Sequence, residues 1–194
     1  MCGRYYVDDE TAKEIEKLIQ TVDNKLKKER LGYDIHPSDT APVLTGGLDS
    51  LKLSWQRWGF PGFQGKGVIF NARSETVLEK RLFSDGIRRR RAVIPAAWFY
   101  EWNRNKEKIT FLRHDRPVIY MAGFYSRFEE EDRFVILTTK ANQSMIGTHD
   151  RMPLVLEENE LKEWVLNDSA TEKILGQTPV LLKKRAEYEQ QTLF

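Results

Sequence analysis

The stretch Ala92-Val93-Ile94-Pro95-Ala96-Ala97-Trp98-Phe99-Tyr100-Glu101-Trp102 sets the character of this 194-residue chain. Residues 92–94 and 98–102 are apolar and aromatic and read as two strands. Toward the C-terminus, residues 108–113, 118–124 and 134–138 read the same way, each bounded by turn residues. Toward the N-terminus, Leu51, Leu53 and Trp55 alternate as in a half-buried strand running to Trp58-Gly59, and Val68-Ile69-Phe70 forms a short apolar strand. Ile15, Leu18, Ile19 and Val22 fall at helical spacing behind Asp8 and Asp9, which can cap the helix. Helices are also expected through Leu78 and Leu82 and around Leu161, Trp164 and Val165, with residues 32–42 an irregular loop. The expected fold is α+β, a mainly antiparallel sheet curled into a partial barrel with flanking helices, in one domain over residues 1–194.

Composition narrows the functional classes. With 40% hydrophobic and 31% charged residues, the chain supports one substantial core. A single cysteine excludes an internal disulfide and, with only three histidines, argues against a structural zinc site. No metal or cofactor is expected. No apolar run approaches the roughly 20 residues of a membrane helix, and no signal-peptide pattern appears, so a cytoplasmic protein is expected. A net charge of +2 says little about partners; the placement of arginines says more.

The one cysteine is Cys2, in Met1-Cys2-Gly3-Arg4. Removal of Met1 would give one residue both a free α-amine, with an ordinary pKa of about 7.7–8.0, and a thiol, at about 8.5. Such a pair can attack one aldehyde in succession, as an imine and then a five-membered thiazolidine, or divide the roles of nucleophile and base. In Trp98-Phe99-Tyr100-Glu101-Trp102 a carboxylate lies among four aromatics, where desolvation would fit it for general acid–base work, although period-2 alternation also allows Glu101 to face solvent. Asn71-Ala72-Arg73-Ser74-Glu75 places an amide, a guanidinium and a carboxylate just after a strand, as a cleft edge or as a polar turn. Thr148-His149-Asp150-Arg151-Met152-Pro153 offers a proton-shuttling histidine. The similar His114-Asp115-Arg116-Pro117 reads as a hairpin turn, and His36 as a loop residue. Arg88-Arg89-Arg90-Arg91, with Arg4, Arg57, Arg73 and Arg151, would track a phosphate backbone or form a solvated face, while Trp55 and Trp58 would stack on bases. Residues 129–132 read as an exposed acidic loop.

Taken in order, these motifs resemble the SOS-response-associated peptidase (SRAP) family of abasic-site processing proteins. Met1-Cys2-Gly3-Arg4, Trp58-Gly59, Asn71-Ala72-Arg73-Ser74-Glu75, Phe99-Tyr100-Glu101-Trp102 and His149-Asp150-Arg151-Met152-Pro153 follow its pattern over roughly residues 1–156, with Leu137-Thr138-Thr139 and Ala141-Asn142 between. Three features depart from it. Ala97 and Trp98 stand where the family usually has a polar residue and Gly. Tyr33-Asp34-Ile35-His36-Pro37 loses the amide of its Tyr-Asn loop, and no Val-Asn strand is recognisable in residues 178–194.

The resemblance implies a substrate, the aldehyde of an opened abasic site in single-stranded DNA. Cys2, freed of Met1, would form the imine and then the thiazolidine. Asn71 would orient Cys2, Glu101 would shuttle protons, and His149 would hydrogen-bond the sugar oxygen. Arg4, Arg73 and Arg151 would hold phosphates, and Trp58 would contact the DNA. The imine would permit β-elimination, hence some lyase activity, and the peptidase label would describe self-removal of Met1. The protein would act as a monomer without an obligate protein partner, nucleoid-associated when bound to DNA. Three other classes remain: an N-terminal-nucleophile amidohydrolase resembling a glutamine amidotransferase, a non-covalent single-stranded DNA-binding protein, and a general protease.

Overall fold

A computed structural model describes residues 2–19, 26 and 31–186. The strands are β1 (Tyr5–Asp8), β2 (Gly32–Ile35), β3 (Thr40–Gly46), β4 (Leu51–Trp58), β5 (Phe60–Pro61), β6 (Val68–Ile69), β7 (Asn71–Arg73) and β8 (Arg91–Ala96). They continue as β9 (Trp98–Trp102), β10 (Lys108–Leu112), β11 (Ile119–Phe128), β12 (Glu131–Lys140), β13 (Arg151–Pro153), β14 (Val155–Leu156) and β15 (Lys183–Ala186). The helices are α1 (Asp9–Leu18), α2 (Ser84–Arg89), α3 (Leu161–Leu166) and α4 (Thr171–Leu175).

The larger sheet runs β13-β12-β4-β3-β8-β11-β14, and β11 also pairs with β12. The path β12-β4-β3-β8-β11 therefore returns to its start and closes a five-stranded barrel. The expected α+β fold forms, and its curl is complete rather than partial. Closure relies on β12, which takes β11 and β13 as antiparallel neighbours and β4 and β7 as parallel ones. Shared pairing of this kind leaves the barrel without a free edge at the strand that carries most of the ladder.

Local chemistry explains the elements. All six residues of β8 are buried, as a strand covered on both faces requires. Its Pro95 pairs across to Tyr120 of β11, while β3 reaches only Val93 and Ala92, so the missing N–H falls where β8 has one neighbour. Trp58 is fully buried against Tyr5, Phe70 and Phe134, with its Nε1–H donating to the Phe70 carbonyl at 2.9 Å. Gly59 follows at φ 107°, and its N–H reaches the Phe134 carbonyl at 2.7 Å. A Cβ at Gly59 would lie 2.1 Å from Val68 Cγ1, so this turn admits only glycine.

Several expectations are corrected. Residues 32–42 hold β2 and the start of β3, because pairing with β1 and β4 supplies the hydrogen bonds that local breakers obscure. Helix α1 begins on an Asp8–Thr11 capping box and ends at Leu18; Ile19 turns extended and bridges Leu51. Val22 lies outside the described residues. Around Leu78 the chain makes successive turns that insert Val77 into the core and leave Leu82 exposed; the helix is deferred to α2. Residues 131 and 132 belong to β12, leaving Glu129 and Glu130 as the exposed acidic turn. The helix at Leu161, Trp164 and Val165 is α3, and all three side chains are buried. No helix among the described residues is long and apolar enough to cross a membrane.

Candidate active site

A second sheet, in the order β15-β10-β9-β1-β2, holds the N-terminal strand. β1 pairs with β9 through Tyr5–Phe99 and Tyr6–Trp98, and the Tyr100 N–H donates to the Arg4 carbonyl at 3.0 Å. The same register sets Glu101 across from Gly3. Side chains alternate across this sheet: Tyr5, Val7, Phe99 and Glu101 face inward, while Tyr6, Trp98, Tyr100 and Trp102 take the other side, where Tyr100 is also buried. Glu101 is 3% exposed, so the alternative of a solvated carboxylate does not hold.

Cys2 is 1% exposed, and its thiol donates to the Arg4 carbonyl at 3.7 Å. Burial, and next the negative charge of Glu101, push the thiol well above its ordinary range. At neutral pH this cysteine is a thiol, and the Glu101 carboxyl is buried with it. Asn71, at the start of β7, donates from Nδ2 to the Cys2 carbonyl at 2.9 Å. Its buried Oδ1 accepts no hydrogen bond among the described residues. Buried acceptors are normally satisfied, so this oxygen marks a place for a donor next to Cys2.

β12 joins the other half of the site. Asn71 and Arg73 of β7 lie beside Ile136 and Thr138 on one side, and Arg151 and Pro153 of β13 lie beside Lys140 and Thr138 on the other. His149 lies two residues before the start of β13. The Arg151 backbone N–H donates to His149 Nδ1 at 2.9 Å, and Asp150 Oδ1 lies 2.9 Å from the same nitrogen. A backbone donor is fixed, whereas the Asp150 side chain is 82% exposed and can turn into solvent. We therefore take Nδ1 as the acceptor, which puts the proton of the neutral ring on Nε2. His149, Trp102, Arg104 and Asp150 border an open cleft of about 710 Å³. Asn71, Arg73, Thr76 and Lys80 border another of about 370 Å³.

The arginines divide by environment. Arg73 is exposed beside the second cleft. Arg151 is 8% exposed, with both terminal nitrogens on the Glu75 carboxylate at 2.6 and 2.8 Å and one on the Thr138 carbonyl at 2.6 Å. It braces the site from within instead of reaching for a phosphate. Arg4 gives Nε and Nη2 to Asp34, the residue that replaces the usual amide. Trp58 is a core residue and presents no ring to solvent. Trp98 stacks on Tyr6 with centroids 4.3 Å apart, on the face away from Glu101, so it does not narrow the site. Within the basic run Arg91 is buried on the Trp164 carbonyl and Asp168, Arg90 is half-buried, and Arg88 and Arg89 are exposed, with Arg89 and Arg90 paired to Asp85. Arg57 pairs with Glu131. Around His114, Arg113 grips Asp115 and Glu157, a structural turn as expected. Glu75, Thr138 and Asp34 received no role from the sequence; only the departure at Asp34 signalled one.

The fold has counterparts among solved structures. A protein of Bacteroides thetaiotaomicron superimposes with a TM-score of 0.78 at 22% identity, covering 97% of this chain and 93% of its own. One from Bordetella bronchiseptica gives 0.78 at 21%, covering 95% and 99%. In sequence, the chain is 29% identical over 176 residues to the abasic site processing protein YedK of Escherichia coli, covering 85% of this chain and 79% of that one. It is 30% identical over 181 residues to the abasic site processing protein YoqW of Bacillus subtilis, covering 85% and 80%. The family described as SOS response associated peptidase (SRAP) matches residues 1–191. Because that match runs over residues 1–191 and takes in Cys2, Asn71, Glu101 and His149, the chain belongs to the SRAP family.

Proposed function

We propose that this protein processes abasic sites in single-stranded DNA by capturing them covalently on Cys2 after removal of Met1. The observation that carries the reading is the pinning of Cys2 by Asn71, with one amide oxygen left over for a donor and a buried carboxylate alongside. The names of its relatives, abasic site processing proteins, point to the same substrate.

The steps balance. The Cys2 α-amine adds to the sugar C1′ aldehyde and loses water to give an imine, while Asn71 Oδ1 accepts one amine hydrogen and fixes its direction. The thiol sulfur then adds to the imine carbon. Its proton passes through Glu101 to the imine nitrogen, closing the thiazolidine, with one water released in all. His149, protonated on Nε2, donates to the sugar ring oxygen as the sugar opens. Arg151 holds the β13 backbone that fixes His149, and Arg73 meets a flanking phosphate. The imine also allows β-elimination of the 3′ phosphate, a lyase side reaction. Removal of Met1 is the self-processing step behind the peptidase label. An abasic nucleotide has no base to unstack, so it enters the cleft at low cost. The protein works as a monomer.

The test is intact mass after mixing the protein with an oligonucleotide carrying one abasic site. A denaturation-resistant adduct that needs the lesion and is lost in Cys2→Ala supports the mechanism. Absence of adduct from protein whose mass shows Met1 removed refutes it.

A further inference from the structure

Building on that reading, we infer that the outer face of the five-stranded sheet is a track for the single strand flanking the lesion. The register places Tyr6, Trp98, Tyr100 and Trp102 on this one face, on the adjacent strands β1 and β9; Trp102 is exposed, Tyr6 and Trp98 are half-buried, and Tyr100 lies buried between them. Tyr6 and Trp98 are stacked at an interplanar angle of 6°, and Trp98 Nε1–H donates to the Tyr100 hydroxyl at 2.7 Å, so the rings are pre-set. Lys108 Nζ and the Arg4 guanidinium lie 5.0 and 5.2 Å from the Tyr100 ring centroid. Trp102 is 40% exposed and borders the His149 cleft, which makes the face continuous with the site.

The far edge is β15, the strand not recognised from sequence. It pairs with β10 through Thr110–Arg185 and Leu112–Lys183, setting Arg185 and Lys183 on the outer face, while Lys184 sits across from the buried Phe111 on the other side. All three are exposed, and none makes an ion pair with another described residue. Ordered aromatic faces bordered by cations match the chemistry of a nucleic acid strand, whose bases stack and whose phosphates repeat. Neither an apolar partner nor an acidic peptide would use both features. The strand would run from the lesion at His149, over Trp102, toward Lys183 and Arg185.

The test uses oligonucleotides carrying a tetrahydrofuran abasic analogue, which lacks the aldehyde, with the lesion near either end or at the centre. Binding is read by fluorescence anisotropy across a salt series. The native protein is expected to gain affinity when one flank is lengthened and not the other. The double variant Lys183→Ala/Arg185→Ala should lower the salt slope by about 1.4, two single-strand phosphates. Lys184→Ala, equally exposed but on the opposite side, should leave the slope unchanged. Trp102→Ala should weaken binding of the longer oligonucleotide at least about fivefold. The double variant should still form the covalent adduct with a short abasic oligonucleotide at the native rate. Equal loss in Lys184→Ala and the double variant, or no flank preference, overturns the track while leaving abasic capture intact. If the native protein forms no adduct with Met1 removed, the underlying reading fails and the track with it.

Discussion

Asp34→Asn removes the charge that neutralises Arg4. Arg4 gives two donors to one Asp34 oxygen, and the two side chains are 30% and 21% exposed. A unit pair at such a boundary has a gross attraction of about 4 kcal/mol at an effective dielectric of 20, but the net value of partly exposed pairs is nearer 1 kcal/mol. A phosphate that recruits Arg4 must first displace Asp34, and so gives up about 1 kcal/mol, or roughly fivefold in affinity. Asparagine keeps the shape and one acceptor and removes the charge. The variant should bind a tetrahydrofuran-containing single strand about fivefold tighter at 100 mM salt, with a salt slope steeper by about 0.7. It should also melt about 2–4 °C lower. Anisotropy titrations over 50–200 mM salt and a calorimetric scan measure all three. A lower melting temperature with unchanged affinity and slope would show that the pair exists but that Arg4 meets no phosphate, and the reasoning would fail.

Four further outcomes follow from the geometry. Asn71→Ala removes the bond to the Cys2 carbonyl and the vacant acceptor together, and should slow adduct formation about tenfold to a hundredfold in an intact-mass time course. Glu75→Gln deprives the buried Arg151 of its charged partner; since Glu75 is 37% exposed, the loss should be about 2 kcal/mol rather than the full cost of a buried pair. Arg151 holds the Glu75 carboxyl below its ordinary value of 4.5, so this stabilisation is present above that pH and disappears as pH falls; the variant and native melting curves should converge in acid. The Cys2 thiol is raised by burial, so its contribution is full below the ordinary thiol range and is lost as pH rises beyond it; native stability should fall faster than that of Cys2→Ala, approaching about 1.4 kcal/mol per pH unit in urea titrations. Gly59→Ala places a methyl 2.1 Å from Val68 Cγ1 at positive φ and should cost at least about 2 kcal/mol, only partly recovered by Val68→Ala.

The parts of the molecule legible in the sequence are those whose chemistry is local. The alternation in β9 places Phe99 and Glu101 on one side, and the capping residues of α1 announce its start. What alternation does not say is which side is inside; that depends on the β1 pairing, a contact between residues almost a hundred positions apart. Pairing at shorter range hides β2 and β3, whose Gly32, Asp34 and Pro42 look like loop residues until β1 and β4 supply their partners. Pro42 is tolerated because β8 pairs only with Leu44 and Thr45 of β3. The site divides the same way. Cys2, Asn71, Glu101 and His149 are visible as reactive residue types, whereas the internal role of Arg151 requires knowing that Glu75 lies beside it. Exposed and buried arginines look alike in a sequence, and so do a surface tryptophan and Trp58.

The burial of Cys2 also has a consequence in time. Its cover comes from β9 and β7, so during synthesis the N-terminus is open until roughly the first hundred residues have been made. At about 5–20 residues per second this interval lasts on the order of 5–20 s. A newborn chain therefore presents its thiol to every small aldehyde and oxidant around the ribosome, and folding acts as the protecting group. Slow barrel closure would lengthen that exposure, so a mutation far from Cys2 that delays folding would raise the fraction of molecules whose thiol is modified before it is buried.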